Sequence, residues 1–448
     1  MSAHSDKTAL LAAALTAARA EDGAAIGLAK TTSNLFRNRA PRSRPRIDLA
    51  HFDAVIRVDP AAGIVEAEGM VPYVTLADAT LPHGVIPAVV PQLKSITLGG
   101  AVAGIGIEAS SFRRGLVHDT IVALEVLTGD GRVLTCTPEN EYRDLFFGLP
   151  NSYGTLGYAL AVTARTTPVK PFVALEHVRY DTAEACFAAV ARHCDDGELD
   201  FLDGVIFASD EIYLTLGRFA VDAPYTSDYT FERIYYRSIR ERKSDFLTVR
   251  DYLWRWDTDW FWCSRNVGAQ YPLVRRLLGR ERLNSITYQR IMRWNSRWGV
   301  TRRLARLSGL HPEAVIQDVD IPLEHASEFL AFLHGEIGIL PIWLCPIRAP
   351  ARTGSFALYP LRPGGIYINF GFWDVVRDRK PHPPGYRNRL IERKLAEFGG
   401  LKGLYSDSYY TEEEFWSVFD RAAYSALKSR YDPAGAFPDL YSKCVLQR

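Results

Sequence analysis

Residues 91–131, PQLKSITLGGAVAGIGIEASSFRRGLVHDTIVALEVLTGDG, decide the fold of this chain. Glycine and serine are concentrated between Ser95 and Gly115, where backbone N–H groups can approach an anionic ligand without interference from Cβ atoms. Two segments with strand-like patterns, 121–127 and 132–135, then flank Gly129-Asp130-Gly131. This arrangement predicts a β-hairpin. A second glycine turn, NSYGTLG at 151–157, precedes a predicted strand at 158–165. Two glycine turns separated by a hairpin predict a site for a long dinucleotide such as FAD, with ligand-free tight turns as the alternative.

The residues of these two turns are the candidate ligands of the dinucleotide. They are Thr97, Leu98, Gly99, Gly100, Gly104, Ile105, Gly106, Ser110, Ser111 and Gly115 in the first turn, and Asn151, Gly154, Thr155 and Gly157 in the second. The run from Gly104 to Ala109 also matches the G-x-G-x-x-A pattern of a doubly wound dinucleotide fold. Gly115 interrupts the helix which that fold requires, and the flanking segments predict antiparallel strands. We therefore expect glycine loops of another kind.

Composition excludes several classes of function. The 53 Lys and Arg residues balance 52 Asp and Glu residues in the 448-residue chain, so no basic excess supports a dedicated nucleic-acid binder. The ten histidines do not fall at metal-ligand spacing, and we expect no metal site. Aromatic residues make up 12% of the chain, which suits either a large ordinary core or a site for a flat or apolar ligand.

The sequence predicts a protein of a reducing compartment without a membrane-spanning helix. The six cysteines are scattered, with no C-x-x-C pair, and no window approaches 18 uninterrupted apolar residues. The apolar run 9–18 is closed by Arg19, Glu21 and Asp22, which indicates an amphipathic first helix rather than a signal peptide. We expect the protein in the cytoplasm, either free or peripheral on the inner face of the plasma membrane.

The pattern of elements predicts an α+β fold instead of regular βαβ alternation. Pro168 and Pro171 mark a boundary, which gives a first domain at 1–170, a substrate or cap domain at 171–375 and a C-terminal segment at 376–448. Within the middle domain, the region 237–307 is predicted to be helical, aromatic and basic. A single C-terminal helix is predicted at 412–428, beginning with a capping box formed by Thr411 and Glu414.

Several motifs in fixed order resemble a known flavoprotein family. Residues 91–131, with 144–146 (DLF) and 154–157 (GTLG), resemble the FAD-binding domain of the vanillyl-alcohol-oxidase (PCMH-type) flavoproteins. Within that superfamily the chain is most similar to the Δ24-sterol reductase (Diminuto/seladin) family, through PIWLCP at 341–346, LYSD at 404–407 and EEFW at 413–416. The resemblance implies a two-subdomain FAD-binding domain followed by an antiparallel sheet with helices. The chain differs from the superfamily at 30–34, where it has KTTSN in place of the R-x-x-G-x-S-x-x-G pyrophosphate loop.

The same resemblance implies non-covalent FAD and reduction of a carbon–carbon double bond in a lipid by NAD(P)H, with NADPH the preferred donor. An isolated alkene has no carbonyl to stabilise added hydride, so protonation to a tertiary carbocation should precede or accompany hydride transfer. The C-terminal segment returns to the flavin in related folds, which makes Tyr405, Asp407, Tyr409 and Tyr410 candidate proton donors. Glu108 and His118 are further candidates because they are near the glycine turns in the sequence.

Several lipids with such a double bond are candidate substrates. The Ala- and Arg-rich chain is typical of bacteria, and actinobacterial relatives resemble enzymes that finish methyl-branched fatty acids. There, a partner SAM-dependent fatty-acyl methyltransferase forms a methylene chain on a phospholipid, and the flavoprotein reduces 10-methylene-stearoyl to 10-methylstearoyl groups. Sterol Δ24 reduction is the second candidate. A flavin-dependent alcohol or lactone oxidase, and a lipid-binding protein with a vestigial flavin fold, are alternatives of other classes.

Two aromatic and basic segments suggest a lipid surface. Residues 251–265 carry four tryptophans between 254 and 262, and residues 290–306 carry two more among six arginines. This mixture predicts either a membrane interface, with arginine on phosphates and tryptophan among headgroups, or a pair of helices that covers the domain. The Arg-rich segment 37–46 has candidate roles toward NADPH, FAD phosphate or lipid headgroups, with plain solvation as the alternative.

Overall fold

The computed structural model describes residues 3–22, 26–29, 36, 46–298, 308–351 and 354–447. Their strands form a two-stranded parallel pair and two antiparallel sheets of six and eight strands, which is the predicted α+β architecture. Three segments with sequence-based expectations lie outside the described residues. They are 30–34, where the chain departs from the superfamily's pyrophosphate loop, 37–45 of the Arg-rich segment, and 299–307 at the end of the second aromatic segment. In the described part of the chain, no helix is both long and apolar enough to cross a bilayer.

The first part of the chain builds the smaller sheets. Its strands are β1 (Gly27–Ala29), β2 (Arg46–Asp48), β3 (Val55–Asp59), β4 (Ile64–Glu68), β5 (Val85–Pro87), β6 (Ile121–Leu127), β7 (Val133–Cys136) and β8 (Tyr158–Pro168). The parallel pair is β1-β2, and the six-stranded sheet has the order β3-β4-β8-β6-β7, with β5 paired to β8. The hairpin predicted around 129–131 is β6-β7.

The second part builds the eight-stranded sheet, called the large sheet below. Its strands are β9 (Phe172–Tyr180), β10 (Phe201–Ala208), β11 (Glu211–Ala220), β12 (Ser244–Thr248), β13 (His311–Pro322), β14 (Ile342–Arg348), β15 (Ile366–Asp378) and β16 (Leu401–Lys402). Their order is β12-β9-β11-β10-β14-β15-β13-β16. The boundary predicted after 170 falls between β8 and β9, whereas the boundary predicted after 375 falls inside β15, which pairs with β13 through Asp378.

Helices flank both sheets. They are α1 (Ala3–Asp22), α2 (Tyr73–Thr80), α3 (Leu98–Ala103), α4 (Ser111–Arg114), α5 (Arg143–Gly148), α6 (Ala183–Asp196), α7 (Tyr235–Glu241), α8 (Val249–Leu253), α9 (Pro272–Leu278), α10 (Ser285–Trp298), α11 (Ala326–Phe332), α12 (Tyr386–Phe398), α13 (Glu412–Val418), α14 (Arg421–Tyr431) and α15 (Leu440–Cys444). The first helix is present where the sequence predicts it.

The single C-terminal helix predicted at 412–428 is in fact two helices. The predicted capping box is present, because the Thr411 hydroxyl accepts the Glu414 N–H at 3.2 Å and the Glu414 carboxylate accepts the Thr411 N–H at 2.7 Å. Helix α13 nevertheless ends at Val418, and the Asp420 carboxylate caps α14 by accepting the Ala423 N–H at 2.9 Å. The prediction of one helix is wrong because Asp420 supplies a second N-cap inside the apolar pattern.

The register of the large sheet aligns selected side chains on its inner face, which points toward the first part of the chain. Trp343 on β14 is opposite Gly371 on β15, and Gly371 is opposite Asp318 on β13. Neighbouring residues in a strand point to opposite faces. Ile342 and Leu344 accordingly pack in the core on the other side, together with residues of α6, α11 and α12.

Helix α1 is held to the six-stranded sheet by a cluster of charges around His4. Its Nδ1 lies 2.8 Å from Glu68 Oε1, and its Nε2 lies 2.9 Å from Glu125 Oε1. The Lys7 ammonium lies 2.9 Å from the second Glu68 oxygen. Both ring nitrogens donate only in the imidazolium form. Burial lowers the pKa of His4, but its hydrogen bonds to the two carboxylates outweigh burial and raise the pKa above the usual value.

We predict that the attachment of α1 weakens as the pH rises. A raised folded-state pKa gives a stabilisation that is complete below the unfolded value and is lost as the pH rises through the folded value. His4→Ala should therefore cost about 1–2 kcal/mol of unfolding free energy in mild acid and much less in mild alkali. Denaturant unfolding across this pH range measures the difference. His83→Ala, at an exposed histidine, is the control, and a pH-independent cost for His4→Ala would contradict the assignment.

Candidate active site

A cavity of about 520 Å³ lies between the glycine turns and the inner face of the large sheet. This volume is within the range of small-molecule and cofactor sites. The lining divides by chemistry into a glycine-rich wall, a pair of cations, an aromatic wall and a half-buried acid with a tyrosine beside it. Each of these is contributed by a different part of the chain.

The glycine-rich wall contains eight of the predicted dinucleotide ligands. The Gly99 N–H donates to the Gly69 carbonyl at 2.8 Å, and a Cβ on Gly99 would lie 2.9 Å from that oxygen. Gly154 has a φ of +73°, a conformation that favours glycine. Both turns therefore contain positions that only glycine can occupy, either because neighbouring backbone is too close or because φ is positive. The predicted ligands that line the cavity are Thr97, Gly99, Gly100, Gly104, Ile105, Gly106, Gly154 and Gly157.

The other predicted dinucleotide ligands lie behind this wall and support it. The Ser110 hydroxyl donates to the Ala88 carbonyl at 2.9 Å, and the Asn151 amide donates to the Leu358 carbonyl at 2.8 Å. Their polar groups hold the turns in place instead of facing the cavity. The residues in this supporting set are Leu98, Ser110, Ser111, Gly115, Asn151 and Thr155.

Two cations line the cavity where the terminal segments of the chain approach it. The Lys443 ammonium donates to the carbonyl of Tyr153 at 2.7 Å, directly beside Gly154. Arg46, at the start of β2, also lines the cavity. Cations next to glycine N–H groups suit the negative charge of a diphosphate. Sequence reasoning missed Lys443, because nothing in the sequence links this lysine to a turn 290 residues earlier.

The aromatic wall comes from the segment 254–263 and from the large sheet. Trp260, Phe261, Trp343 and Trp373 line the cavity. The centroid of the Phe261 ring lies 4.5 Å from that of Trp373 and 5.4 Å from that of Trp343. Trp260 and Phe261 have φ values of +45° and +47°. Such a conformation costs about 1–3 kcal/mol per residue and is concentrated at functional sites.

The predicted membrane interface at 254–262 is wrong. All four tryptophans there are buried, so their rings cannot reach lipid headgroups. The segment forms turns, and strand β12 precedes it, so the prediction of a helical region at 237–307 is also wrong for these residues. The aromatic side chains pack on the large sheet, and their burial there outweighs the local helical preference of the segment.

Asp318 and Tyr405 place an acidic group at the aromatic end of the cavity. The Trp373 indole N–H donates to the Tyr405 hydroxyl at 3.0 Å, and Tyr405 in turn is hydrogen-bonded to the Asp318 carboxylate. Burial raises the pKa of Asp318 to about 7, against the hydrogen bond from Tyr405, which lowers it. Burial and the neighbouring Asp318 charge hold the pKa of Tyr405 well above its usual range. Asp318 is therefore the group that can gain or lose a proton near neutral pH.

Sequence reasoning missed Asp318, although Tyr405 was among the predicted proton donors. The available signal was the pair of acids in the otherwise apolar pattern VIQDVDI at 315–321. Within the described residues, Asp318 Oδ1 has no hydrogen-bond partner. A Cβ on Gly371 would lie 2.7 Å from that oxygen and 2.6 Å from the Trp373 ring, so the glycine keeps this part of the cavity open.

Two other predicted proton donors of the C-terminal segment, Asp407 and Tyr409, do not line the cavity. Asp407 Oδ1 accepts a hydrogen bond from Gln447 at 3.0 Å, and Gln447 itself lines the cavity. The ring of Tyr409 packs over Gly385, where an added Cβ would clash with it. The chain turns at 404–406 and is irregular up to 410, so Tyr405 lines the cavity while Asp407 and Tyr409 do not.

Glu108 lies behind the aromatic wall, in a buried cluster with Arg255 and Asp203. The Arg255 guanidinium lies 3.2 Å from Glu108 Oε1 and 2.9 Å from Asp203 Oδ2. Burial raises the pKa of Glu108 to about 7, although the Arg255 charge opposes this. The Trp343 indole N–H donates to the same Asp203 oxygen at 3.2 Å, so the cluster orients a ring of the aromatic wall. His118 and Tyr410, the further candidates, are also buried outside the cavity lining.

Comparisons with known proteins agree with this cavity. Residues 5–137 match a family model described as an FAD binding domain. The chain is 28% identical over 413 residues to the Delta(24)-sterol reductase of Homo sapiens, covering 87% of this chain and 75% of that protein. It is 26% identical over 452 residues to the Delta(24)-sterol reductase of Pisum sativum, covering 89% and 76%. These similarities support an FAD-linked oxidoreductase, and the predicted α+β fold with a PCMH-type FAD-binding domain is confirmed.

The cavity residues fit FAD. A Cβ on Gly104 would lie 2.8 Å from the Gly100 carbonyl oxygen and 3.4 Å from the Tyr153 ring, so only glycine fits at this point of the cavity wall. Gly100, Gly104 and Gly154 would hold the diphosphate, with Lys443 and Arg46 supplying opposite charge. The aromatic wall offers flat apolar surface for the ring system. Among the described residues, no group of three His, Cys, Asp or Glu side chains could hold a metal ion.

We predict that Gly104→Val prevents normal flavin binding. Its side chain would collide with the Gly100 carbonyl oxygen and the Tyr153 ring, so the turn that lines the cavity must shift, and FAD affinity should fall at least about tenfold, or about 1.4 kcal/mol. Flavin content after purification and titration of the apoprotein with FAD measure the change. Gly335→Ala is the control, because a Cβ there meets nothing within 4 Å. Full flavin content in Gly104→Val would remove this wall from the site.

Proposed function

We propose that this protein uses FAD and NADPH to reduce an isolated carbon–carbon double bond in a lipid. The observation that carries the proposal is the Asp318 carboxyl, whose pKa is about 7, at the aromatic end of a cavity that fits the flavin. A bound flavin supplies the hydride, after taking it from NADPH. The chain must then supply the proton and a dry, cation-tolerant environment.

Asp318 is proposed as the proton donor. Its protonated carboxyl transfers the proton to the less substituted alkene carbon, which leaves a tertiary carbocation on the other carbon. That carbocation accepts the hydride, so the product gains one proton and one hydride, and Asp318 regains its proton from solvent. The hydrogen bond from Tyr405, itself fixed by Trp373, holds the carboxyl in one orientation. Tyr405 is thus a positioning residue in this proposal.

The aromatic wall has a matching role. The rings of Trp260, Phe261, Trp343 and Trp373 exclude water from the reacting carbons. Indole and phenyl faces are electron-rich and stabilise a nearby positive charge by about 0.5–2 kcal/mol. A carbocation in this part of the cavity therefore survives long enough to be reduced.

Two substrate classes share this chemistry. Our first candidate is the 10-methylene-stearoyl chain of a phospholipid, reduced to 10-methylstearoyl after a SAM-dependent fatty-acyl methyltransferase has formed it. Its 1,1-disubstituted double bond protonates to a tertiary carbocation. The second candidate is the Δ24 double bond of a sterol, which is favoured by the similarity to Delta(24)-sterol reductases over 87% of the chain. That bond is trisubstituted and gives a tertiary carbocation as well.

Lipid mass spectrometry distinguishes the two substrate classes. A host should make the protein together with a methylene-forming methyltransferase, and a second host should make the protein and receive a Δ24-unsaturated sterol. We expect a two-hydrogen mass gain on the methylene chain and none on the sterol. A gain on the sterol alone would transfer the proposal to the second class. No gain on either lipid, by a protein that contains flavin, would reject alkene reduction.

We predict that Asp318→Asn separates the two half-reactions. Reduction of the flavin by NADPH should be retained, whereas oxidation of the reduced flavin by the alkene should slow by about 10²–10⁴-fold, the usual contribution of a general acid. Stopped-flow absorbance of the flavin follows each half-reaction. Asp320→Asn is the matched control, because Asp320 is on the same strand, is buried and is bonded to Tyr359 and Asn369 outside the cavity lining. Equal slowing in both variants would contradict the role of Asp318.

The pH dependence of alkene reduction gives a second prediction. Because the protonated carboxyl is the active form, the rate should be constant in acid and fall above pH 7 or so, in line with the Asp318 pKa of about 7. The Asp320 charge raises the pKa of Asp318 and the Tyr405 hydrogen bond lowers it. The midpoint should therefore move to lower pH in Asp320→Asn and to higher pH in Tyr405→Phe. Shifts in the same direction would rule out Asp318 as the titrating group.

A further inference from the structure

Exposed apolar side chains are concentrated in one short segment of the chain. Of the eleven large apolar residues that are exposed in the described chain, six fall between residues 271 and 294. We call this part the 271–294 face. Its apolar members are Tyr271, Leu273, Leu277, Ile286, Ile291 and Trp294. Clustered exposed apolar residues mark an interaction site, whereas isolated ones are ordinary.

Two consecutive helices present these side chains to solvent. On α9, Leu273 and Leu277 are four residues apart and therefore share one side of the helix, with 71% and 75% of their surface exposed. On α10, Ile291 and Trp294 are three residues apart, and Trp294 is 58% exposed. The side of α10 that packs inward carries Ser285, Tyr288 and Gln289, which are buried. Both helices thus have an apolar side that faces outward as well as one that faces the core.

The two helices are fixed to neighbouring residues of one short segment, 257–259. Arg275 of α9 lies 2.6 Å from the Asp259 carboxylate. From α10, the Ser285 hydroxyl donates to Asp257 at 2.6 Å, and the Tyr288 hydroxyl donates to the Thr258 carbonyl at 2.8 Å. Residues 257–259 directly precede Trp260 and Phe261 of the aromatic wall. The 271–294 face is therefore directly connected to the wall that lines the cavity.

The charge of this segment indicates which kind of partner binds the 271–294 face. Residues 271–294 contain six arginines and one glutamate in a chain whose total charge is +1. Three of these arginines pair with acids elsewhere in the chain, Arg275 with Asp259, Arg276 with Glu232 and Arg280 with Asp228, so the other three arginines and the glutamate leave an excess of +2. Arg275 is buried, but Arg282, Arg290 and Arg293 are exposed among the apolar side chains. Arginines alternating with aliphatic residues and tryptophan match the surface of an anionic bilayer, where phosphates bind the guanidinium groups and apolar side chains enter the headgroup region. A protein partner would favour an apolar centre depleted in charge.

We propose that the 271–294 face is the surface by which this protein binds an anionic phospholipid bilayer. It replaces the buried tryptophans at 254–262 as the membrane-facing part of the molecule. The proposal rests on the proposed lipid reduction in one respect, which is the reason for binding a membrane. A bilayer-bound enzyme takes its lipid substrate directly from the membrane. The binding itself depends on the exposed residues and not on the chemistry in the cavity.

Vesicle co-sedimentation of the flavin-containing protein tests this surface. We expect binding to phosphatidylcholine vesicles that contain phosphatidylglycerol, little binding to phosphatidylcholine alone, and release by high salt. The double variant Leu273→Ser/Leu277→Ser should bind at least about tenfold more weakly, because two exposed leucines no longer enter the bilayer. Arg290→Gln/Arg293→Gln should weaken binding by about thirtyfold, the usual effect of two basic residues at an anionic surface.

Two control variants distinguish membrane binding at this face from binding elsewhere on the surface and from catalysis. Val221→Ser changes a residue that is 63% exposed outside the 271–294 face and should bind like the unaltered protein. Asp318→Asn should bind vesicles normally, so loss of lipid reduction and loss of membrane binding are distinguishable. Failure of the unaltered protein to bind either vesicle overturns the proposal, as does binding that survives both double variants. A dimer in solution that the leucine variant dissociates, without vesicle binding, would assign the face to a second copy of the chain instead.

Discussion

The arrangement of this molecule depends on the ion pairs made by the buried Arg255. Its guanidinium joins Glu108, which lies within the first glycine turn, to Asp203 on the large sheet, and it stacks 3.9 Å from the Tyr252 ring centroid. Removing one partner of a buried ion pair typically costs about 3–5 kcal/mol, because a charge is left uncompensated. The cluster thereby fixes the distance between the glycine-rich wall and the sheet, and through Asp203 it also fixes Trp343.

The chemistry of the cavity then follows from the register of the large sheet. Trp343, Gly371 and Asp318 form one row across three neighbouring strands. The missing side chain of Gly371 leaves the space into which both Trp373 and the Asp318 carboxylate project. A shift of one residue in this pairing would turn Asp318 toward the opposite core. The same strand pairing therefore positions both the acid, whose pKa is near neutrality, and the tryptophans of the aromatic wall.

The local features of the site were predictable from sequence, and the long-range ones were not. Both glycine turns were identified, because glycine patterns act through the backbone of a few neighbouring residues. Tyr405 was selected with Asp407 and Tyr409, but resemblance alone gave no means of separating them, since inward and outward positions depend on how the segment packs against β13. The tryptophans at 254–262 were linked to a membrane because composition does not distinguish a buried aromatic cluster from an exposed one.

The class of fold, the two glycine turns and the resemblance to FAD-dependent reductases can be recognised in the amino-acid sequence alone, because they depend on short patterns whose physical meaning is local. Which acid faces the cavity, which cations approach the glycine turns and which apolar residues remain on the surface depend on the folded chain. Asp318 and Tyr405 are 87 residues apart in the numbering of the chain, and Tyr153 and Lys443 are 290 apart. Strand register brings such distant residues together, and burial raises the pKa of Asp318. Neither the register nor the burial exists before the chain has folded.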